Sequence, residues 1–382
     1  MAWNIVGTAE PERWSALLAR LGAFDVYHLA GYHRAYEGGQ EAAALAFVAE
    51  IGGEILFNPV MLRPIRRVGT RDVAPGVPAG WRDAETVYGY GGPLATSTDP
   101  AFLAEAWAAY GAWCRDQGIV CEFTRYNPLL GNHVLAAAEA RVWRDRETVV
   151  IPLDGGEEAL WQGYAGAHRT SIRKALKSGV VCRERPPAEA LPAFRALYEA
   201  TMRGLGAGDF YLFPKAYYAR LREGLGEGLR LFMASHEGRE IAGAMFLVQG
   251  ETLHYHLAGS DHAWRHLAAA NLLIHEAALW GRRRGLRQFH LGGGRTPAPD
   301  DSLFGFKARF SPERRDLYLG ARVFDREAYD RLCGLWRDQA GAGAGVGAGA
   351  EGEGEGGPEP RHFQLYRLDP GQAARRAAAG AA

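Results

Sequence analysis

One order of strand, turn and helix signals occurs twice in this chain, and that recurrence constrains the fold more than any single motif. In the first copy, residues 44–51 and 54–62 read as a β-hairpin about a Gly52-Gly53 turn. A glycine-aromatic stretch over 88–94 follows, then a helix over 100–116 capped by Gly118, then a strand over 119–125. In the second copy, strands over 230–236 and 241–248 flank a Glu237-Gly238 turn. Gly250-Glu251 leads into a strand over 252–258, a helix over 265–284 capped by Gly285, and a strand over 287–291. The motifs keep register: GGEIL with GREIA, YGYGGPL with YHLAGS, and WCRDQGIVCEF with WGRRRGLRQFH. Any two β-β-β-α-β stretches share some of this, but the common register favours a duplicated unit over a short-period solenoid. The expected fold is therefore α/β, with two tandem domains of mixed β-sheet flanked by helices.

The rest of the chain fills in around the copies. Helices are expected over 11–22, 26–36, 157–178 and 188–202, a strand over 148–153, and a long Arg/Pro/Gly-rich loop over 63–87. After Asp338 the composition turns to GAGAGVGAGAEGEGEGGPEP, which offers no core, so it reads as a disordered linker. An apolar tail over 362–368 would add one strand or fray. The domains expected are 1–144, 145–338, and a disordered tail over 339–382.

Composition narrows the function classes. Hydrophobic residues make up 47% of the chain, enough for sizeable cores, and 44 basic residues balance 44 acidic ones. That balance argues against a DNA-coating protein, while leaving room for a local basic patch. The four cysteines show no metal spacing, which fits a reducing compartment. The first residues lack a basic and apolar leader, and no run of about 18 apolar residues occurs. A cytoplasmic protein without a transmembrane segment is expected. Only four of the basic residues are lysines, Lys174, Lys177, Lys215 and Lys307; each reads either as a place where a compact charge is wanted or as chance.

Three motifs could carry chemistry. Arg265-His-Leu-Ala268-Ala-Ala270-Asn271 opens the helix between the last two strands of the second copy, where free N–H groups favour a phosphate. It also reads as an ordinary amphipathic helix with Ala270, Leu273, Ala277 and Trp280 inward. In residues 167–179, Arg169, Arg173 and Lys177 share one helical face, with Lys174 beside them and no acid from Ala159 to Arg183. Such a face suits a phosphate or an RNA backbone, or it is simply solvated. Finally, His290-Leu-Gly-Gly-Gly294 and Phe306-Lys307-Ala-Arg-Phe310 bring a flexible turn and a lysine between aromatic rings. Lys307 would face a cleft and hold a phosphate or a developing oxyanion, unless it is an edge-strand lysine beside two core phenylalanines. His254 and His256 flank Tyr255 on a strand; each, like His290, is a candidate base or a packed histidine. No GxSxG, HExxH or GxxxxGK[ST] pattern is present, so no covalent nucleophile or metal is expected.

The succession IRKALKSGV, YHLAGS, the helix at 265–284, FHLGGG and FGFKARF resembles the FemABX family and the broader FemAB-like GNAT acyltransferases. The resemblance covers roughly residues 20–330 and is densest at 160–325. It implies two GNAT-like domains and transfer of an acyl or aminoacyl group to an amine, in the cell-wall enzymes from aminoacyl-tRNA to a peptidoglycan precursor. It implies no tightly bound cofactor, with acyl-CoA or aminoacyl-tRNA as the donor substrate and tRNA as a conceivable partner. On this basis Lys307, on the lysine of the family's Phe-Lys motif, and Tyr255 are the expected catalytic residues. Arg265, Ala268, Ala270 and Asn271 would hold the donor; Arg169, Arg173, Lys174, Tyr90 and Phe306 would hold substrate. Two departures weaken the cell-wall reading. Gly92-Pro93 is not followed closely by an aspartate, and no long charged helical hairpin is present. Alanines replace both glycines of the phosphate loop, which keeps open a second reading: an inactive GNAT scaffold that binds a nucleotide or RNA.

Overall fold

A computed structural model describes residues 2–38, 41–72, 77–206, 208, 211–340 and 363–369. They form two compact units. The first takes the described residues of Met1–Tyr27, Tyr36–Arg144 and Tyr318–Ala382; the second takes His28–Ala35 and Asp145–Leu317.

In the first unit, β1 (Ala2–Gly7) and α1 (Pro11–Leu21) precede the hairpin of β2 (Ala43–Ile51) and β3 (Glu54–Pro64). Gly52 and Gly53 both take positive φ, 61° and 93°, as a tight twisted hairpin turn requires. The strands are buried on both faces because a helix covers each. Trp14 of α1 meets Phe57 edge-on, and Tyr110 of α3 (Pro100–Asp116) meets Phe47. Beyond a two-residue ladder of β4 (Arg67–Val68) and β5 (Arg71–Asp72), β6 (Arg82–Glu85) pairs with β3. The short β7 (Leu94–Ala95) also pairs with β3, and β8 (Ile119–Arg125) runs parallel to β6. The expected loop over 63–87 thus contains a strand. Its sequence, RDAE, carries no apolar alternation, because Asp83 is buried by ion pairing instead.

The second unit repeats this plan. It begins within β9 (Arg141–Pro152), followed by α4 (Glu157–Gly163), α5 (Gly166–Lys177), β10 (Val181–Arg185), α6 (Pro187–Gly204) and α7 (Lys215–Leu225). Then come β11 (Leu229–His236), β12 (Arg239–Gln249), β13 (Thr252–Ser260), α8 (Ala269–Arg283), β14 (Gln288–Gly292) and α9 (Ser302–Ala308). Its strand order is β10-β11-β12-β13-β14-β9, antiparallel except for β13 with β14. One face is covered by α5 and α8 over a core that includes Ile172, Phe246, Ile274 and Phe289. On β13, Gly259 lets α6 approach so closely that an added Cβ would lie 2.4 Å from the Tyr198 nitrogen.

Four expectations change. The single helix over 157–178 is two, broken where Tyr164 and Ala165 are extended. The 26–36 helix is a short turn followed by α2 (Ala30–Tyr36), and residues 28–35 belong to the second unit, where Gly31 lies backbone to backbone against Gly224. The second unit ends at Leu317, not 338. From Tyr318, β15 (Arg314–Val323) enters the first unit and pairs with β8 through Leu319–Val323, and α10 (Arg326–Ala340) follows. The Gly-rich stretch 341–360 lies outside the described residues, but 363–369 neither fray nor add a strand. They make a short turn with Tyr366 fully buried in the first unit, because its hydroxyl and the Arg367 guanidinium reach the buried Asp83.

Candidate functional site

The second unit opens where its parallel strands part. Strand β13 pairs with β14 only at Thr252/Gln288, Leu253/Phe289 and His254/His290. Beyond that point β13 continues along β12 to Ser260, with a register shift that leaves His256 as the extra residue. Gly292, at φ 74°, turns β14 away. Among the described residues, no strand takes the β14-side edge of Tyr255–Ser260. The carboxyl ends of diverging parallel strands are where open α/β sheets receive ligands. The first unit behaves differently: past β6 the chain stays on β8, with Gly91 N donating to the Arg125 carbonyl at 2.8 Å and Asn127 N donating to the Gly91 carbonyl at 3.1 Å.

Lys307 lies at this opening, and its setting removes the edge-strand alternative, since the residue is helical and its ammonium is buried and not solvent-facing. It sits near the end of the short helix α9, 8% exposed, and Nζ donates to the Gly293 carbonyl at 2.8 Å. The ammonium is 5.8 Å from the half-buried Tyr255 ring. Burial draws its pKa from 10.5 down to about 8, against the opposing pull of Asp301. Asp301 fixes α9 in place: Oδ1 accepts from Phe304 N, and Oδ2 accepts from Arg295 N and Thr296 N. Burial works to raise this carboxyl's pKa, but those N–H groups prevail and lower it. Gly294 is needed because a Cβ there would meet Asp301 Oδ1 at 2.4 Å. Phe306 joins the same group: its carbonyl accepts from His168 Nε2 at 2.8 Å, and its ring packs on His168 and Phe310. His168 is not among the residues expected from sequence, because it lies on the buried face of α5 and the expected cations on another. The 168/172/175 spacing of that helix's buried face could have revealed it.

The helix entry differs from a bare phosphate loop in an informative way. A short turn, His262–Leu267, ends at Ala268, which takes the left-handed conformation (φ 56°, ψ 33°) and starts α8 without a side-chain cap. Alanine thus holds a shape that usually favours glycine. Relief of that strain should outweigh the added chain entropy, so Ala268→Gly should stabilise the fold by about 0.5–1 kcal/mol in urea denaturation. Lower stability would show that the alanine methyl packs usefully. Arg265 is exposed, with Nη1 2.6 Å from His262 Nε2, and Ala270 is half-exposed. Asn271 is buried, so its side chain is not offered to a donor at the surface as expected.

The remaining candidates do not converge as expected. Arg169 is occupied: Nη1 donates to the carbonyls of Tyr164 at 2.6 Å and Gln162 at 3.2 Å, closing the end of α4. Arg173 lies over the Trp161 ring at 5.0 Å, and Lys174 is exposed. Tyr90 is in the first unit, edge-on to Tyr27 at 5.5 Å. His254 and His290 are buried, their Nδ1 atoms 3.4 Å apart at the last paired position, and His256 Nε2 is 2.8 Å from the Tyr217 hydroxyl. Burial lowers the His256 pKa to about 3, so that ring is neutral at physiological pH. No helix among the described residues is long and apolar enough to cross a membrane.

Parts of the chain and its fold are similar to known proteins. Residues 165–308 match the family described as an acetyltransferase (GNAT) domain. The UDP-N-acetylmuramoylpentapeptide-lysine N(6)-alanyltransferase of Weissella viridescens is 25% identical over 172 residues, 44% of this chain and 50% of that protein. The chain thus matches about half the length of this relative. The crystal structure of FemX aligns with a TM-score of 0.65 at 13% identity, over 87% of this chain and 99% of that one. L-PGS from Bacillus licheniformis aligns at 0.52 and 15% identity, over 87% and 97%. At these identities the two structures speak for the fold. The second unit thus carries a match to the GNAT acetyltransferase domain, and the chain is similar in fold to FemX and in part of its sequence to the alanyltransferase.

Proposed function

We propose that this protein is an N-acyltransferase that moves an acyl or aminoacyl group from acyl-CoA or aminoacyl-tRNA to an amine, with a peptidoglycan precursor as the acceptor class to test first. The observation that supports it best is the opening between β13 and β14 with a buried lysine at its mouth. The amine nitrogen attacks the donor carbonyl carbon. Negative charge grows on the carbonyl oxygen; as the carbonyl re-forms, the bond to sulfur or to the ribose oxygen breaks, and the proton lost by the nitrogen ends on the departing thiolate or alkoxide. A buried ammonium beside that oxygen is worth far more than one in water, and the rest of the rate comes from positioning. Lys307 and Tyr255 are assigned to the reacting centre, with Phe306 beside them. The entry to α8, with Arg265, Ala268 and Ala270, is assigned to the donor's phosphates or terminal ribose. Arg173 and Lys174 are assigned to an anionic part of a substrate.

The test incubates the purified protein with labelled acetyl-CoA or alanyl-tRNA and a panel of amines that includes a lysine-containing muropeptide nucleotide. Label transferred to an amine from either donor supports the reading and names the donor. Donor binding without transfer to any amine would favour the inactive scaffold.

A further inference from the structure

We propose that His168 is a positioning residue for Lys307: it holds the end of the helix that carries the lysine, and so sets where the ammonium stands. The inference rests on the reading that places Lys307 at the reacting centre. Helix α9 has seven residues, and its last carbonyls have no partner within it. Phe310 N meets that of Lys307 at 3.0 Å, and the rest are met from farther away. The Phe306 carbonyl accepts from His168 Nε2 at 2.8 Å, that of Ala308 from Arg314 Nη2 at 3.3 Å, and that of Arg309 from Ala165 N at 2.8 Å. Two of these three donors belong to the entry of α5, which the extended residues Tyr164 and Ala165 bring against α9. Arg169 braces that break through the carbonyls of Gln162 and Tyr164, which gives this cation a structural task one helix away from the lysine.

The bond to Phe306 falls one residue before Lys307 and has one possible direction. A carbonyl only accepts, so His168 Nε2 carries the proton. Burial draws the ring's pKa below 6.5 against the pull of that bond, and Arg309 adds to the fall, so at neutral pH the ring is an uncharged Nε2–H tautomer. The partner of the ammonium is fixed separately. Arg146 Nη1 donates to the Gly294 carbonyl at 3.1 Å, and the chain at Gly293 passes so near β9 that a Cβ there would lie 3.0 Å from the Glu147 carbonyl. Nζ and the Gly293 carbonyl therefore meet only while α9 keeps its place. With Asp301 holding the start of α9 and His168 its end, release of the end would draw Nζ off the carbonyl and let water reach it. The imidazole also packs on the rings of Phe306 and Phe310, at 5.2 and 4.3 Å, so its donor and its ring have to be tested apart.

The chain has four lysines, so Lys307 can be followed by NMR in the full-length protein labelled with 13C at lysine Cε, with Lys307→Arg identifying its signal. In the parent it should titrate at about 8. His168→Phe keeps a ring but has no donor, and the Lys307 titration should rise by at least about one pH unit toward 10.5 as the ammonium is hydrated. His168→Gln keeps an N–H at the ε position without the ring, and should leave the titration at the parent value. A phenylalanine variant that titrates like the parent would overturn the proposal. So would a glutamine variant whose lysine titrates at least about one pH unit higher, because the ring would then act by packing; if the phenylalanine variant does not fold, this second criterion decides alone. The readout needs no turnover. Where the parent moves label from acetyl-CoA or alanyl-tRNA, His168→Phe should also lower kcat about tenfold and keep the donor KM within about twofold. An unchanged kcat beside a moved titration would overturn the proposal as well. Absence of transfer in the parent would instead remove Lys307 from a reacting centre, and the NMR titration would still decide whether His168 positions it.

Discussion

Replacing Lys307 by alanine should lower the acyl-transfer rate by roughly a hundredfold or more, the scale of one lost electrostatic contact to a developing oxyanion. Lys307→Arg should restore only part of it, because a planar, longer guanidinium cannot reproduce a point charge held against the Gly293 carbonyl. Lys307→Met separates function from stability. A lysine whose folded pKa is about 8, against 10.5 when free, disfavours the folded state wherever it must be protonated. That penalty is complete below pH 8 and fades as pH rises to 10.5. The difference between methionine and lysine should therefore swing by about 3 kcal/mol between pH 7 and pH 10.5. Losing the hydrogen bond to Gly293 offsets part of the gain, roughly 1–3 kcal/mol. The methionine variant should be modestly more stable at pH 7 and less stable near pH 10.5. An alanine variant active at the parent rate would remove Lys307 from the reacting centre. A stability difference that did not change with pH would mean that the ammonium is solvated.

The duplicated plan was legible because its punctuation is local. Gly52-Gly53, Gly118, Gly250 and Gly285 all take positive φ at the turns and helix ends where glycine was expected to stop an element. What failed was everything set by distant partners. Strand β6 was missed because Asp83 is hidden by Arg63, twenty residues away in sequence, and by Arg367 near the other end of the chain. The edge-strand alternative for Lys307 stayed open because aromatic-x-x-x-aromatic spacing around a lysine does not tell a strand edge from a one-turn helix. The Asp301 cap would have decided it: an aspartate before Ser302-Leu303-Phe304 is a helix start, and its side chain accepts from Phe304 N. The cationic face of α5 was visible, but not that Arg169 would turn back onto the carbonyls of α4. Charge spacing identifies a face and leaves open which members remain available.

Asp83→Asn should cost the first unit about 3–5 kcal/mol, the usual effect of removing one partner from a buried ion pair. The carboxylate is fully buried and shared, with Arg63 on Oδ1 at 3.1 Å and Arg367 with Tyr366 on Oδ2. Burial pushes its pKa up, but Arg63 and Arg367 overcome this and hold it below 3.8. The sign follows: the stabilisation is complete above pH 3.8 and is lost as pH falls through the folded value. The gap between parent and variant in chemical denaturation should accordingly be constant near neutrality and narrow only under acid. Arg63 retains Glu85 at 2.7 Å, so the charge left most exposed to loss is Arg367. A double-mutant cycle isolates it. Arg367→Met in the Asp83→Asn background should cost at least about 1 kcal/mol less than in the parent, because the two residues share one network. Additive losses would mean that Arg367 is held by the carbonyls of Arg63 and Pro64 and not by the carboxylate. A small loss in the single variant would show instead that the amide takes over the bonds of both arginines, and the buried charge would then owe its place to something other than stability.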